Sequence, residues 1–153
     1  MMAKDFRGAV EQYCEAFNGG EGNRMQIVQL DDTSAEAEII NEDGYAFTLY
    51  LEHDSEEQEL LFSIPSHAVF DQEEDIPDEV STFLLKRNVA EDVTGHWALE
   101  ELEEGWQYIL YHDLPLPNSD YEQDIPPEEF GSNLHSLIVE VEEFNELWEE
   151  EDW

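Results

Sequence analysis

Positive charge is what this chain has least of. Five Lys plus Arg stand against 41 Asp plus Glu in 153 residues, a formal net charge of −36. Nucleic-acid backbones and anionic membrane surfaces are gripped by lysine and arginine, so direct binding to either is not expected. A single cysteine, Cys14, rules out an intrachain disulfide and fits a reducing compartment. No apolar run approaches the ~18 residues needed to cross a bilayer. The start, Met1-Met2-Ala3-Lys4-Asp5-Phe6-Arg7, has no long apolar stretch of the secretory kind, so a cytoplasmic protein is expected. No repeat of 20 to 50 residues and no low-complexity linker divides residues 1–153, which read as one domain with a frayed acidic tail at 149–153.

Apolar residues are nevertheless plentiful, at 41% hydrophobic and 12% aromatic. A highly charged chain without them could not offset its conformational entropy and would stay disordered. Here they are patterned. Phe6, Ala9, Val10, Tyr13, Cys14 and Phe17 keep helical spacing, with Asp5 as N-cap and Asn18-Gly19-Gly20 as a left-handed stop. Strand-like segments follow at Met25–Leu30 and Ala35–Ile40. Asn41-Glu42-Asp43-Gly44 then makes a hairpin turn into Tyr45, Phe47, Leu49 and Leu51. After a polar loop at His53–Gln58, Leu60, Phe62 and Ile64 alternate up to Pro65, which is expected to end that strand.

Pro77 opens a second helix whose apolar stripe is Val80, Phe83 and Leu84. Lys86 and Arg87 suit its negative carboxyl end, a structural rather than catalytic placement, and Asn88 is expected as the left-handed cap. Strands at His96–Leu102 and Trp106–Leu114 flank Glu103-Glu104-Gly105, with glycine at a strained turn position. A last helix runs from Phe130 through Leu134, Leu137, Ile138, Val141, Phe144 and Trp148. The predicted order is α-β-β-β-β-α-β-β-α, an α+β fold with a twisted antiparallel sheet and flanking helices.

Chemistry is hard to place on this pattern. General acid–base work needs two carboxyls in unlike environments, and the likeliest buried acids, Glu38 and Glu101, are expected to face water. Asp71-Gln72-Glu73-Glu74-Asp75 has calcium-loop acids but Ile76 where glycine is required. The five histidines are scattered, so no metal and no cofactor is predicted. Cys14 sits on an apolar stripe between Glu11 and Glu15, which raise a thiol pKa rather than lower it. Ser66-His67 lacks nucleophile-elbow glycines, and Gly19, Gly20 and Gly22 precede a strand instead of opening a helix. The chain reads as a non-enzyme.

The element order, the helix ending Phe83-Leu84-Leu85-Lys86-Arg87-Asn88, the strand Trp97-Ala98-Leu99-Glu100 and the long closing helix resemble the YbjN-like group and the type III secretion chaperones. The resemblance covers most of residues 5 to 150. It implies first and last helices on one face of the sheet and binding of partner polypeptide segments. It also implies a homodimer built around the second helix, with Val80, Phe83, Leu84 and Trp97 as candidate interface residues. The strand Met25–Leu30 and the extreme acidity depart from that pattern.

Alternation also leaves a second sheet face. It carries Tyr50 and Leu61, with either Ile109 and Tyr111 or Trp106 and Tyr108, depending on register. Tyr50, Leu61, Ile109 and Tyr111 are taken as the candidate partner-binding set, unless the second helix or a dimer partner covers them. The leading expectation is therefore a chaperone-like module holding a segment of another protein, with basic partners favoured by the acidic rim. Two alternatives are an acidic decoy that mimics nucleic-acid charge and a cation-dependent hydrolase using surface carboxylates. The acid also has a plainer reading, as a solvating surface suited to a saline cytoplasm.

Overall fold

The computed structural model describes residues 6–19, 24–41, 44–54, 59–90, 93–115 and 127–150. The expected positions Asp5, Gly20, Glu42, Asp43 and 151–153 lie outside them.

The described elements follow the predicted order: α1 (Phe6–Asn18), β1 (Arg24–Leu30), β2 (Ser34–Ile40), β3 (Ala46–Asp54), β4 (Glu59–Phe70), α2 (Asp78–Asn88), β5 (His96–Leu102), β6 (Gly105–Pro115) and α3 (Pro127–Glu150). One 3₁₀ turn, Glu73–Asp75, precedes α2. The strands form one sheet in the order β1-β2-β3-β4-β6-β5, every pair antiparallel.

Period-two alternation gives the sheet one buried face. Ala35, Ala37 and Ile39 of β2 stand opposite Leu51, Leu49 and Phe47 of β3. Leu51 stands opposite Phe62, and Ile64 opposite Leu110, which in turn pairs with Trp97. All three helices among the described residues pack on this face. Phe130 of α3 stacks on Tyr13 of α1, with ring centres 4.3 Å apart, and tilts against Phe62 of β4 at 5.4 Å. Phe144 lies 4.9 Å from the Trp97 ring and 6.3 Å from that of Phe83, tying α3 to β5 and α2.

Three expectations are corrected by local physics. Pro65 does not end β4, which runs on to Phe70. The β3 ladder has already stopped at Tyr50–Ser63, and the register against β6 then slips between Pro65 and Val69. Proline is at home at such an irregularity. Ser66 repairs it: its hydroxyl donates to the Tyr108 carbonyl at 2.7 Å and accepts from the Ala68 N–H at 3.2 Å. The start of the expected loop at His53 is strand: His53 pairs with Leu60 and its ring stacks on Phe6. Pro77 is the N-cap of α2 rather than its first helical residue. Gly105 does hold the strained position expected of it: it opens β6 after a two-residue turn with a φ of 158°, which L side chains rarely adopt. Glycine is needed there because a Cβ would meet the Phe70 carbonyl oxygen at 2.2 Å.

Candidate functional site: the open face of the sheet

The register settles which residues share the second face. One row across the sheet reads Glu36, Tyr50, Ser63, Tyr111, His96, from β2 to β5. A neighbouring row holds Ser34, Glu52, Leu61 and Asp113, and another Pro65, Ile109 and Ala98. Tyr50, Leu61, Ile109 and Tyr111 therefore stand on one face. Trp106 and Tyr108 point the other way and pack with the core, and the Tyr108 hydroxyl lies 2.7 Å from that of Ser81 on α2. No described helix or strand lies over the Tyr50 face, and none of its residues belongs to the core cluster.

The face carries an apolar patch with carboxylates around it. Tyr50 is 43% exposed, Leu61, Pro65, Ala98 and Tyr111 are half-buried, and Ile109 is only 6% exposed. Ile109 stands between Pro65 of β4 and Ala98 of β5. The Tyr111 hydroxyl donates to Glu100, four residues along β5 from its cross-strand partner His96, so the two side chains reach toward each other over Ala98 and Ile109. The His96 ring stacks on Tyr111 at 6.1 Å. Burial, and then the Glu100 carboxylate, push the Tyr111 pKa up to about 12. On the other side of Tyr50, a depression of about 230 Å³ is lined by Gln29, Asp31, Ser34, Ala35, Glu36, Leu51, Glu52 and Ser63. No lysine or arginine lines it.

Both edges of the sheet are capped by a helix-terminal asparagine. Asn18, the last residue of α1, accepts from the Met25 N–H at 2.6 Å and donates to the Met25 carbonyl at 2.8 Å. Asn88, the last residue of α2, does the same for Trp97 of β5. A side-chain amide thus replaces a neighbouring strand at one residue of each edge. This is the role of Asn88, in place of the expected left-handed cap; the C-cap is Val89, whose φ of −101° is not left-handed. Cys14 adds to the seal on β1: its thiol lies 3.3 Å from the Met25 carbonyl, and burial raises its pKa.

The candidate interface residues of the second helix divide. Val80, Leu84 and Trp97 are at most 4% exposed within the single chain, spent on its own core. Phe83 is half-buried against Phe144, and α2 instead leaves Leu85 and Val89 in the open. Sequence reasoning missed them because its helical stripe marks the side turned inward.

Glu38 and Glu101 face water. The buried carboxylate is Glu140 of α3, 7% exposed, which sequence gave no reason to single out among so many acids. Arg87 forks onto it at 2.6 and 3.1 Å, and the Trp97 indole N–H donates to it at 3.0 Å. Among the described residues no three His, Cys, Asp or Glu side chains are grouped to hold a metal ion. No described helix is long and apolar enough to cross a membrane.

No protein-family model matches the chain, and no curated protein matches it in sequence. Solved structures do match. A chain in the structure of the HopA1–SchA chaperone–effector complex aligns over 90% of this chain and 94% of its own length, with a TM-score of 0.54 and 15% identity. A chain of the ExsC–ExsE complex aligns over 94% and 96%, with a TM-score of 0.49 and 17% identity. The α+β architecture expected from the sequence, one antiparallel sheet with flanking helices, is thus the fold of this chain, and the first of these solved chains shares it.

Proposed function

We propose that this protein is a non-enzymatic binding module that holds a segment of another protein against the open face of its sheet. The observation that carries this reading is the row of Tyr50, Ser63 and Tyr111, flanked by Leu61, Pro65 and Ile109, with no described element above it. A sheet normally buries its apolar surface between layers, and a face left bare with aromatic residues marks an interaction site. The fold shared with a chain of a chaperone–effector complex supports the same reading. A carboxylate rim of Glu36, Glu52 and Asp113 favours a basic partner. The free thiol of Cys14 fits a reducing, cytoplasmic setting.

A homodimer belongs to the same proposal, formed across what α2 leaves outside: Phe83, Leu85 at 66% exposure and Val89 at 82%. Light scattering in moderate salt should return about twice the 17.8 kDa of one chain, and Leu85→Glu should halve it. A mass of one chain removes the dimer.

The function itself is tested on an array of unfolded peptides of varied sequence. Leu61→Asp and Tyr50→Ala, each with unchanged far-ultraviolet circular dichroism, should weaken capture tenfold or more. Capture indifferent to both substitutions places the binding elsewhere and overturns the reading.

A further inference from the structure

Resting on the reading of the open face as a polypeptide-binding surface, we propose that its occupant is a basic amphipathic helix of about three turns. Three features of the face select this class.

The first is the backbone. A chain laid over a sheet face has no ladder to join, so an extended segment would press unpaired N–H and C=O groups onto Leu61, Pro65, Ile109 and Tyr111. A helix satisfies its own backbone and offers the apolar stripe that such a surface covers. The opposite face is already layered with helices, and a helix here completes a three-layer arrangement.

The second is size. From Tyr50 on β3 to His96 on β5 is three strand steps, roughly 14 Å at the usual interstrand spacing. About ten helical residues span that distance at 1.5 Å each.

The third is the placement of charge. Leu61, Pro65, Ala98, Ile109 and Tyr111 lie on β4, β6 and β5 with Asp113 and Glu100 at their margins, and the carboxylates gather most densely on β2 and β3 as Glu36, Glu38 and Glu52, two of which line the depression next to Tyr50. An amphipathic helix lying across the apolar patch from β5 to β3 brings its β3 end over those carboxylates, and lysine or arginine there is attracted while acid is repelled. A second copy of this chain, at −36, brings its own carboxylate rim to the same place and is disfavoured as the occupant.

Calorimetry and circular dichroism on the full chain with four synthetic 14-residue peptides test this. They are a leucine–lysine helix, the same composition scrambled, a leucine–glutamate helix, and the leucine–lysine peptide interrupted by proline. The leucine–lysine helix should bind at least tenfold more tightly than the other three and gain helical signal on binding. It should weaken tenfold or more with Leu61→Asp or Tyr50→Ala. The triple variant Glu36→Gln, Glu38→Gln, Glu52→Gln should flatten its dependence on salt. Equal binding of the scrambled peptide, or a salt dependence untouched by the triple variant, overturns the proposal. Equal binding of the proline-interrupted or leucine–glutamate peptide, still lost with Leu61→Asp, overturns the helix or the basic character while the open-face reading stands. Binding of no peptide, or binding indifferent to Leu61→Asp and Tyr50→Ala, sinks both.

Discussion

Tyr111 shows how a residue of the open sheet face is held in place. Its hydroxyl is engaged by Glu100 and its ring by His96, so its orientation is set within the chain. Burial and the adjacent carboxylate both disfavour the phenolate, which raises the folded pKa from 10 to about 12. The folded state therefore holds its proton more tightly than the unfolded state. The stabilisation is complete below pH 10 and is lost as pH rises through 12. Ultraviolet titration should show a late-ionising tyrosine that disappears in Tyr111→Phe and moves toward the ordinary range in Glu100→Gln. An unchanged titration in Tyr111→Phe would assign the late group elsewhere. Glu140 is the complementary case in the interior. Arg87 and the Trp97 indole satisfy it, and removing the guanidinium leaves a buried carboxylate undercompensated. Arg87→Ala should cost about 3 kcal/mol in urea unfolding, far more than loss of an exposed ion pair. Neither partnership was legible beforehand. Both join residues tens of positions apart or on one sheet face, and in an acidic chain no single glutamate stands out.

Among the elements, the helices were the most legible, because a 3.6-residue apolar stripe survives any number of exposed acids. Phe130, Leu134, Leu137, Ile138, Val141 and Phe144 are all buried in α3, as their spacing predicts. Strand ends were less legible, since they depend on partners. Pro65 reads as a terminator until the absence of a β3 partner beyond Ser63 is known. The edges depend on partners too: Asn18 and Asn88 look like helix stops, yet they act as one-residue strands. Asn88→Ala should free the Trp97 N–H and carbonyl and cost about 1–2 kcal/mol by thermal denaturation. At the β5–β6 turn, Gly105→Ala forces a methyl against the Phe70 carbonyl and should cost about 2 kcal/mol, measured the same way. A neutral result at either position removes the corresponding contact from the account of the fold.

At the scale of the whole molecule, a net charge of −36 opposes compaction, and the three-helix-on-sheet core overcomes it. That balance depends on screening. The Debye length falls from roughly 30 Å at 0.01 M salt to about 3 Å at 1 M, so like-charge repulsion across the surface fades over this range. The thermal midpoint should therefore rise steadily between those concentrations. A flat or falling midpoint would mean that repulsion is already offset by local pairing. The same charge acts on association, speeding encounter with basic polypeptides and slowing it with acidic ones.

Sequence alone determined that the chain folds and that it does so as an antiparallel sheet with helices. Those conclusions rest on composition and on periodicities of two and 3.6 residues, which are local properties. It could not choose between Ile109 with Tyr111 and Trp106 with Tyr108, because a shift of one residue turns every side chain to the other face. Only the strand register decided that, and only the packing of three helices on one side left Tyr50, Leu61, Ile109 and Tyr111 facing outward together.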